Sequence, residues 1–249
     1  MTMRRQTRIM MGMPITVALA GGPASLLDDV FAHFAAVDQR FSLYRADSEI
    51  SALNQGRITL AQTSDEMRDV LDWADKTRRE TQGYFDIRRA DGTLDTSGIV
   101  KGWAVLNAAK LIEAAGVAHY FVDAGGDIQT GGRNGEGLDW AIGIRNPFQE
   151  TEIIKALQLA GRGIATSGNY ARGDHIYNPH CFARKIDAIV SISVIAKDVL
   201  EADRFATAAF AMGVEGIEFI EDMPGLEGYV IDSCGIATQS SGFGAFVVP

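Results

Sequence analysis

Cysteine is scarce in this sequence of 249 residues: only Cys181 and Cys234 occur. Neither sits in a CxxC pair or a Cys/His ligand spacing, which argues against structural zinc. The two could form one disulfide, but nothing in the sequence calls for an oxidising compartment. Positive charge is also in short supply. Lys plus Arg number 23 against 32 Asp plus Glu, a net charge of −9, so a nucleic-acid or anionic-membrane surface is not expected. Long hydrophobic runs are missing as well. The mostly apolar stretch Ile9–Ala20 holds Pro14 and Thr16 and is too short and too broken to span a bilayer. There is no internal repeat, low-complexity tract or linker. What remains is an ordinary globular composition, 47% apolar and 22% charged, long enough to bury a core as one unit, residues 1–249.

The N-terminus invites a second reading. Arg4 and Arg5 precede the apolar stretch, and Ala18-Leu19-Ala20 resembles a small-residue cleavage site. A strand over Ile9–Ala20, closed by Gly21-Gly22-Pro23, accounts better for its β-branched residues. No cysteine follows to carry a lipid anchor, and a cytoplasmic location is expected.

Apolar positions Leu26, Leu27, Val30, Phe31, Phe34 and Val37 recur at helical spacing behind a capping Ser25. Ser64 caps a second helix through Met67, Val70, Leu71 and Ala74. A third runs from near Gly98 to a stop at Gly116. Strands are predicted at 118–123, 140–144, 153–159, 163–166, 188–196, 228–232 and 244–248. Helices are predicted at 199–212 and 215–221. Helices and strands mix without β-α alternation, so the class is α+β.

Five segments carry chemistry. In Asp95-Thr96-Ser97-Gly98-Ile99-Val100-Lys101-Gly102, small residues open a helix whose free N–H groups can face an anion. In Val122-Asp123-Ala124-Gly125-Gly126-Asp127-Ile128, a strand ends in two glycines and an acid. Glycines let a ligand approach the backbone, and the acid accepts hydroxyl or amine hydrogen bonds. This is not the GxGxxG fingerprint. In Ala165-Thr166-Ser167-Gly168-Asn169-Tyr170, a strand runs into small polar residues. In His175-Ile176-Tyr177-Asn178-Pro179, a histidine sits in a polar loop, where catalytic residues gather; His33 and His119 fall within or beside regular elements. In Ala202-Asp203-Arg204-Phe205-Ala206-Thr207, Asp203 and Thr207 stand four apart on a predicted helix and share a face. Two hard oxygens there suit Mg²⁺. Each segment taken alone reads equally as a cap, a turn or a chance pair.

Taken together and in order, these segments resemble the ApbE family, the FAD:protein FMN transferases. The match also takes in Met11-Gly12, Phe41-Ser42-Leu43-Tyr44, Ser48-Glu49-Ile50-Ser51-Ala52-Leu53-Asn54, Gly83-Tyr84-Phe85-Asp86, Gly143-Ile144-Arg145-Asn146-Pro147 and Met212-Gly213. The resemblance implies two T-fold-like halves with FAD in the cleft between them. It implies a Mg²⁺ site from the Gly98 carbonyl, Asp203 and Thr207. It places Met11, Tyr44, Asp86, Asp95, Lys101, Gly125, Gly126, Asp127, Ser167 and Gly168 at the flavin nucleotide. It puts His175 near the reacting phosphate, as the candidate base beside Asp203.

The activity so implied is Mg²⁺-dependent transfer of FMN from FAD to a threonine hydroxyl of an acceptor flavoprotein, with release of AMP. Two rivals stay open: a Mg²⁺-dependent FAD pyrophosphatase using water, and a flavin-binding protein without catalysis. The sequence also departs from the family pattern. Ile87 follows the Phe-Asp pair where proline is common, and the segment from Asp86 to Asp95 is short. His180-Cys181-Phe182-Ala183 stands where Thr-Gly is usual after Asn178-Pro179.

Overall fold

The computed structural model of the protein describes residues 3–169, 176–181 and 185–248. Strands β1 (Met3–Met10) and β2 (Met13–Ala20) form an opening hairpin. The single strand expected over Ile9–Ala20 is therefore two. Met11 and Gly12 break it at φ of 52° and 74°, the left-handed pair whose twist matches the flanking strands.

Four helices follow: α1 (Leu26–Phe41), α2 (Glu49–Asn54), α3 (Asp65–Glu80) and α4 (Ser97–Ala114). Ser64 caps α3 as expected, its hydroxyl accepting from the Met67 N–H at 3.2 Å. Ser25 does not cap α1: its backbone is already helical and its side chain makes no capping bond. Strands β3 (Tyr120–Ala124) and β4 (Asp127–Gly131) come next, then the ribbon β5 (Ala141–Asn146) and β6 (Gln149–Gln158). The chain continues through β7 (Gly163–Gly168), β8 (Ile189–Ala196), α5 (Val199–Met212), α6 (Gly216–Asp222), β9 (Glu227–Asp232) and β10 (Ala237–Gln239). The strand predicted at 244–248 is instead a 3₁₀ turn over Phe243–Phe246. Its Phe243 is fully buried and stacks on Tyr229, ring centroids 5.4 Å apart. That ring anchors the segment as a plug rather than as a ladder.

Eight strands make one antiparallel sheet in the order β1-β2-β3-β4-β7-β8-β9-β10. The order is sequential within β1–β4 and again within β7–β10, and in each set the helices are inserted between the second strand and the third. The chain thus builds the same ββ-α-ββ layout twice on one sheet. Helices α1 and α4 pack on the first set, through Val30, Phe34, Val105 and Ile112 against Ile15, Val17 and Val122. Helices α5 and α6 pack on the second, through Phe205, Phe210 and Ile220 against Ile192 and Val194. The opposite face is covered by the β5–β6 ribbon, whose Ile142, Ile144 and Leu157 meet Ile128, Ile164 and Ile231.

The seam between the two sets is thin. Strands β4 and β7 share only the pairs Ile128↔Ile164 and Gln129↔Gly163. Beyond them the strands part, and the Thr166 N–H turns to the Asp127 side chain, at 3.4 Å, in place of a ladder partner. A cleft opens at this point.

Two contacts hold α5 in place over the seam. The Val199 N–H, one of the orphan donors at its start, is taken by the Gln129 side chain at 2.9 Å. Arg204, fully buried, pairs with Glu80 of α3 and with Glu201, and its guanidinium lies 3.9 Å from the centre of the Phe205 ring. A buried arginine is tolerable only with such partners.

Candidate active site

Helices α4 and α5 cross beside the seam, one from each half. Their closest approach is at Gly102, where a methyl group would fall 2.6 Å from the Asp203 Cβ and 2.8 Å from the Val199 carbonyl oxygen. Only glycine permits this spacing. It brings the Gly102 N–H within 2.7 Å of Asp203 Oδ2, to which it donates. One turn further along α5, the Thr207 hydroxyl donates to the Gly98 carbonyl at 3.2 Å. Ser167 Oγ of β7 lies 3.5 Å from Thr207 Oγ1. The Gly98, Asp203 and Thr207 set read from the sequence therefore converges, although 109 residues separate Gly98 from Thr207.

The electrostatics of this corner are unbalanced. Asp203 is 3% exposed and Asp127, at the start of β4, is 0% exposed. Lys101 of α4 meets Asp127 Oδ2 at 2.8 Å, yet that oxygen has no hydrogen bond of good geometry. Burial, followed by the nearby charge of Asp127, pushes the Asp203 carboxyl well above the usual carboxylate range; Lys101 and the Gly102 N–H oppose this only in part. Asp123 is raised too, first by burial, although its carboxylate accepts from the Gly126 N–H at 2.8 Å. Among the described residues, three carboxylates in this corner, Asp123, Asp127 and Asp203, face two cations, Lys101 and Arg145.

A divalent cation fits the residues present. It would be held by the Gly98 carbonyl, the Thr207 hydroxyl and the Asp203 carboxylate, three hard oxygens, and it would offset the excess negative charge. Among the described residues, no three His, Cys, Asp or Glu side chains cluster to hold a metal. This donor set draws two of its three oxygens from a carbonyl and a hydroxyl, as suits Mg²⁺ better than zinc.

The cleft has a volume of about 760 Å³, within the usual range for a nucleotide-sized ligand. The remaining sequence-predicted residues fall at different distances from it. Asp86, Asp95, Lys101, Gly125, Gly126, Ser167 and Gly168 line it. Asp95 opens α4, accepting from the Ser97 N–H at 2.9 Å and pairing with Arg89. Asp86 is tied to Arg78 at 2.9 Å. Asp127 lies behind the wall, in contact with Lys101. Met11 is at the hairpin turn, next to the lining residues Gly12 and Met13 but not itself on the wall. Tyr44 is 100% exposed and outside the lining, so the structure does not bring it to the cleft. His175 lies outside the described residues. Its neighbour Tyr177 does line the cleft, and its hydroxyl donates to the Asp86 carbonyl at 3.1 Å. Burial, then nearby Asp95 and Asp86, pushes that hydroxyl up to about 12, so it remains protonated and a donor.

Sequence reasoning did not single out Gly102 or Tyr177 individually, nor Arg5, which reaches the cleft from β1. For Gly102 a signal existed. A glycine in mid-helix costs about 1 kcal/mol relative to alanine and demands a packing reason. The other three histidines are held by backbone: His33 Nε2 meets the Ala104 carbonyl at 3.0 Å, His119 Nδ1 accepts from the Arg133 N–H at 2.9 Å, and His180 Nε2 meets the Gln82 carbonyl at 3.1 Å.

The sequence model of the ApbE family matches residues 11–92 and 87–230. A relative from Escherichia coli (strain K12), named FAD:protein FMN transferase, is 32% identical over 159 residues, or 60% of this chain and 45% of its own length. One of the same name from Klebsiella pneumoniae (strain 342) is 30% identical over 165 residues, 63% of this chain and 46% of its own. The matched stretches thus span less than half the length of these relatives. Among solved structures, the flavin transferase ApbE from Vibrio cholerae superposes with a TM-score of 0.85 at 23% identity, covering 98% of this chain and 99% of that one. The ApbE protein of Thermotoga maritima gives 0.88 at 19% identity, with both chains fully covered. These two likenesses establish the α+β fold.

Proposed function

The chain belongs to the ApbE family, and from that premise we propose that it transfers FMN from FAD to a threonine hydroxyl of an acceptor flavoprotein, dependent on Mg²⁺ and with release of AMP. The observation that carries this reading is the convergence of the Gly98 carbonyl, Asp203 and Thr207 at the seam of the two halves. In the proposed reaction the threonine oxygen bonds to the FMN phosphorus, the bond to the AMP oxygen breaks, and the hydroxyl proton passes to a base. Bound Mg²⁺ would supply charge neutralisation at the pyrophosphate.

The chain's own groups do the rest. Lys101 and the N–H groups opening α4 offer positive charge to the phosphates. The glycines Gly125 and Gly126 let the nucleotide approach the β3–β4 turn. A Tyr177 hydroxyl that stays protonated helps fix the floor of the cleft. His175 is the proposed base, with Asp203 as the substitute. Relatives carrying the name FAD:protein FMN transferase support the choice of donor and product. No helix among the described residues is long and apolar enough to cross a membrane. Both cysteines are exposed and unpaired, which suits a reducing compartment, and we place the protein in the cytoplasm.

The test is to incubate the protein with FAD, Mg²⁺ and the apo form of a flavoprotein that carries its FMN on threonine, then to measure the acceptor's mass and the AMP released. Equimolar AMP and FMN-bearing acceptor is the expected outcome. AMP and free FMN with an unmodified acceptor would convert the reading to a pyrophosphatase, and no AMP at all to a binding protein. In the same assay, Thr207→Val keeps the side-chain shape and removes one oxygen. It is expected to raise the Mg²⁺ concentration for half-maximal rate by about tenfold, the scale of one ligand hydrogen bond or contact. An unchanged Mg²⁺ requirement would remove Thr207 from the donor set.

A further inference from the structure

The ribbon β5–β6 has one edge that pairs with no strand among the described residues. Which of its backbone groups face outward follows from the other edge. There the Val248 N–H donates to the Ala156 carbonyl at 2.9 Å, beside a bridge between Leu157 and Val247. Ala156 therefore points away from β5. It pairs with Gly143, so this is a pair without mutual hydrogen bonds, and the Gly143 N–H and C=O also point outward. By alternation Ala141 does the same. Among the described residues, neither has a backbone group bonded elsewhere.

Edges of this kind are normally blunted by proline, lysine or a covering loop. This one is left open where it meets the cleft. Five consecutive residues, Ala141 to Arg145, line the same cavity as Asp203 and Thr207. The side chains exposed along it are a methyl group at Ala141 and none at Gly143, so a second backbone can lie alongside. Arg145, exposed at the far end, makes no close ion pair among the described residues, and its charge also acts on Asp123 behind it. It gives the edge a positive charge on a protein whose net charge is −9.

We propose that the outer edge of β5 is the docking strand for the acceptor, which adds an extended segment to Ala141–Arg145 and so delivers its hydroxyl-bearing side chain into the cleft. This rests on the transferase reading above. The occupant is a peptide strand rather than a folded surface, because the outward Gly143 N–H and C=O form the donor–acceptor pair that an extended backbone matches. Charge complementarity favours an acidic residue in the docked segment, opposite Arg145. A strand laid there sits about 4.8 Å from β5, with alternate side chains directed to the two faces, and the continuity of the edge with the cleft lets one of those side chains enter.

The test uses the complete protein, FAD, Mg²⁺ and the apo flavoprotein of the transfer assay. Gly143→Pro deletes the outward N–H without losing a ladder bond, and its new Cβ, 2.8 Å from the Ile153 Cδ1, displaces the end of that side chain. It is expected to raise KM for the acceptor about tenfold, the scale of the one backbone hydrogen bond it deletes, a larger effect than any on FAD affinity. Ala141→Pro, at the first residue of the strand, should act in the same direction. Independently of any variant, hydrogen exchange at residues 141–145 of the parent should slow by about tenfold or more on adding the acceptor. Unchanged exchange there, or an unchanged KM in a folded Gly143→Pro, overturns the proposal and leaves the transferase reading intact. Weakened FAD binding in Gly143→Pro would assign the edge to the nucleotide and overturn it too. A dimer of the parent that Gly143→Pro dissociates would assign it to a second copy of the chain. If the parent modifies no acceptor, the transferase reading itself fails.

Discussion

Asp203→Ala is expected to lower FMN transfer by about a thousandfold, the scale of losing the main electrostatic stabiliser of a phosphoryl transition state. The same substitution should leave a folded protein. Asp203 makes one hydrogen bond, from the Gly102 N–H, and its charge is opposed by burial and by Asp127. Asp203→Asn sharpens the test because it keeps the shape. Its consequence for stability has a definite sign. The folded-state pKa of Asp203 lies above the ordinary value of 3.8, so the folded chain binds more protons than the unfolded one. Stability contributed at low pH is therefore lost as pH rises from about 4 through the raised pKa. Without Mg²⁺, Asp203→Asn should consequently melt higher than the parent at neutral pH and converge with it at pH about 4. Adding Mg²⁺ should raise the melting temperature of the parent and not of the variant. Melting curves at two pH values, each with and without Mg²⁺, measure all of this. Equal responses of parent and variant to Mg²⁺ would show that Asp203 is not a ligand.

Gly102→Ala should do comparable harm by a different route. The added methyl group meets the Asp203 Cβ at 2.6 Å and the Val199 carbonyl at 2.8 Å. Neither is the free end of a flexible side chain, so α4 and α5 must separate. Overpacking of this kind costs about 2 kcal/mol, which lowers the melting temperature by roughly 4–8 °C for a chain of this size. The separation also moves the Gly98 carbonyl away from Thr207, and misplacement on that scale costs about a hundredfold in rate. Excess Mg²⁺ should restore part of the rate, since the donors are displaced and not deleted. A Gly102→Ala protein with the parent's melting temperature and rate would contradict the close helix approach.

The sequence made some of this legible and hid the rest for identifiable reasons. Helix 199–212 was readable to the residue because an aspartate cap, an apolar face and Gly213 all agree. Its Asp203 and Thr207 were readable as a pair because helical periodicity alone puts them on one face. Strand β4 was missed because Asp127, Gln129 and Thr130 look like loop residues; all three are buried, and Asp127 and Gln129 are polar because they meet Lys101 and α5, not because they face water. The hairpin within 9–20 was hidden by a turn residue, Met11, that carries no turn signature. The repeated ββ-α-ββ layout left no repeat in the sequence, since the first half holds four helices where the second holds two. Tyr44 matched the family pattern by position, but local context says nothing of which way a loop side chain faces.

The pairing of β2 with β3 joins Thr16 to Asp123 and Val17 to Val122, so more than a hundred residues must be made after β2 before its partner exists. At a synthesis rate of about 5–20 residues per second, that is a wait on the order of 5–20 s. Through it, one edge of the hairpin is bare, with Ile15, Val17 and Leu19 beside it. Helices α1 to α4, all made during that interval, are what can shelter it. A nascent chain stalled before residue 120 would hold its four helices and an unsatisfied strand, the kind of species that chaperones bind. The cleft is assembled later still, because α5 is needed to complete it. A truncated product of translation that ends before α5 would then lack Asp203 and Thr207, and with them one wall of the cleft.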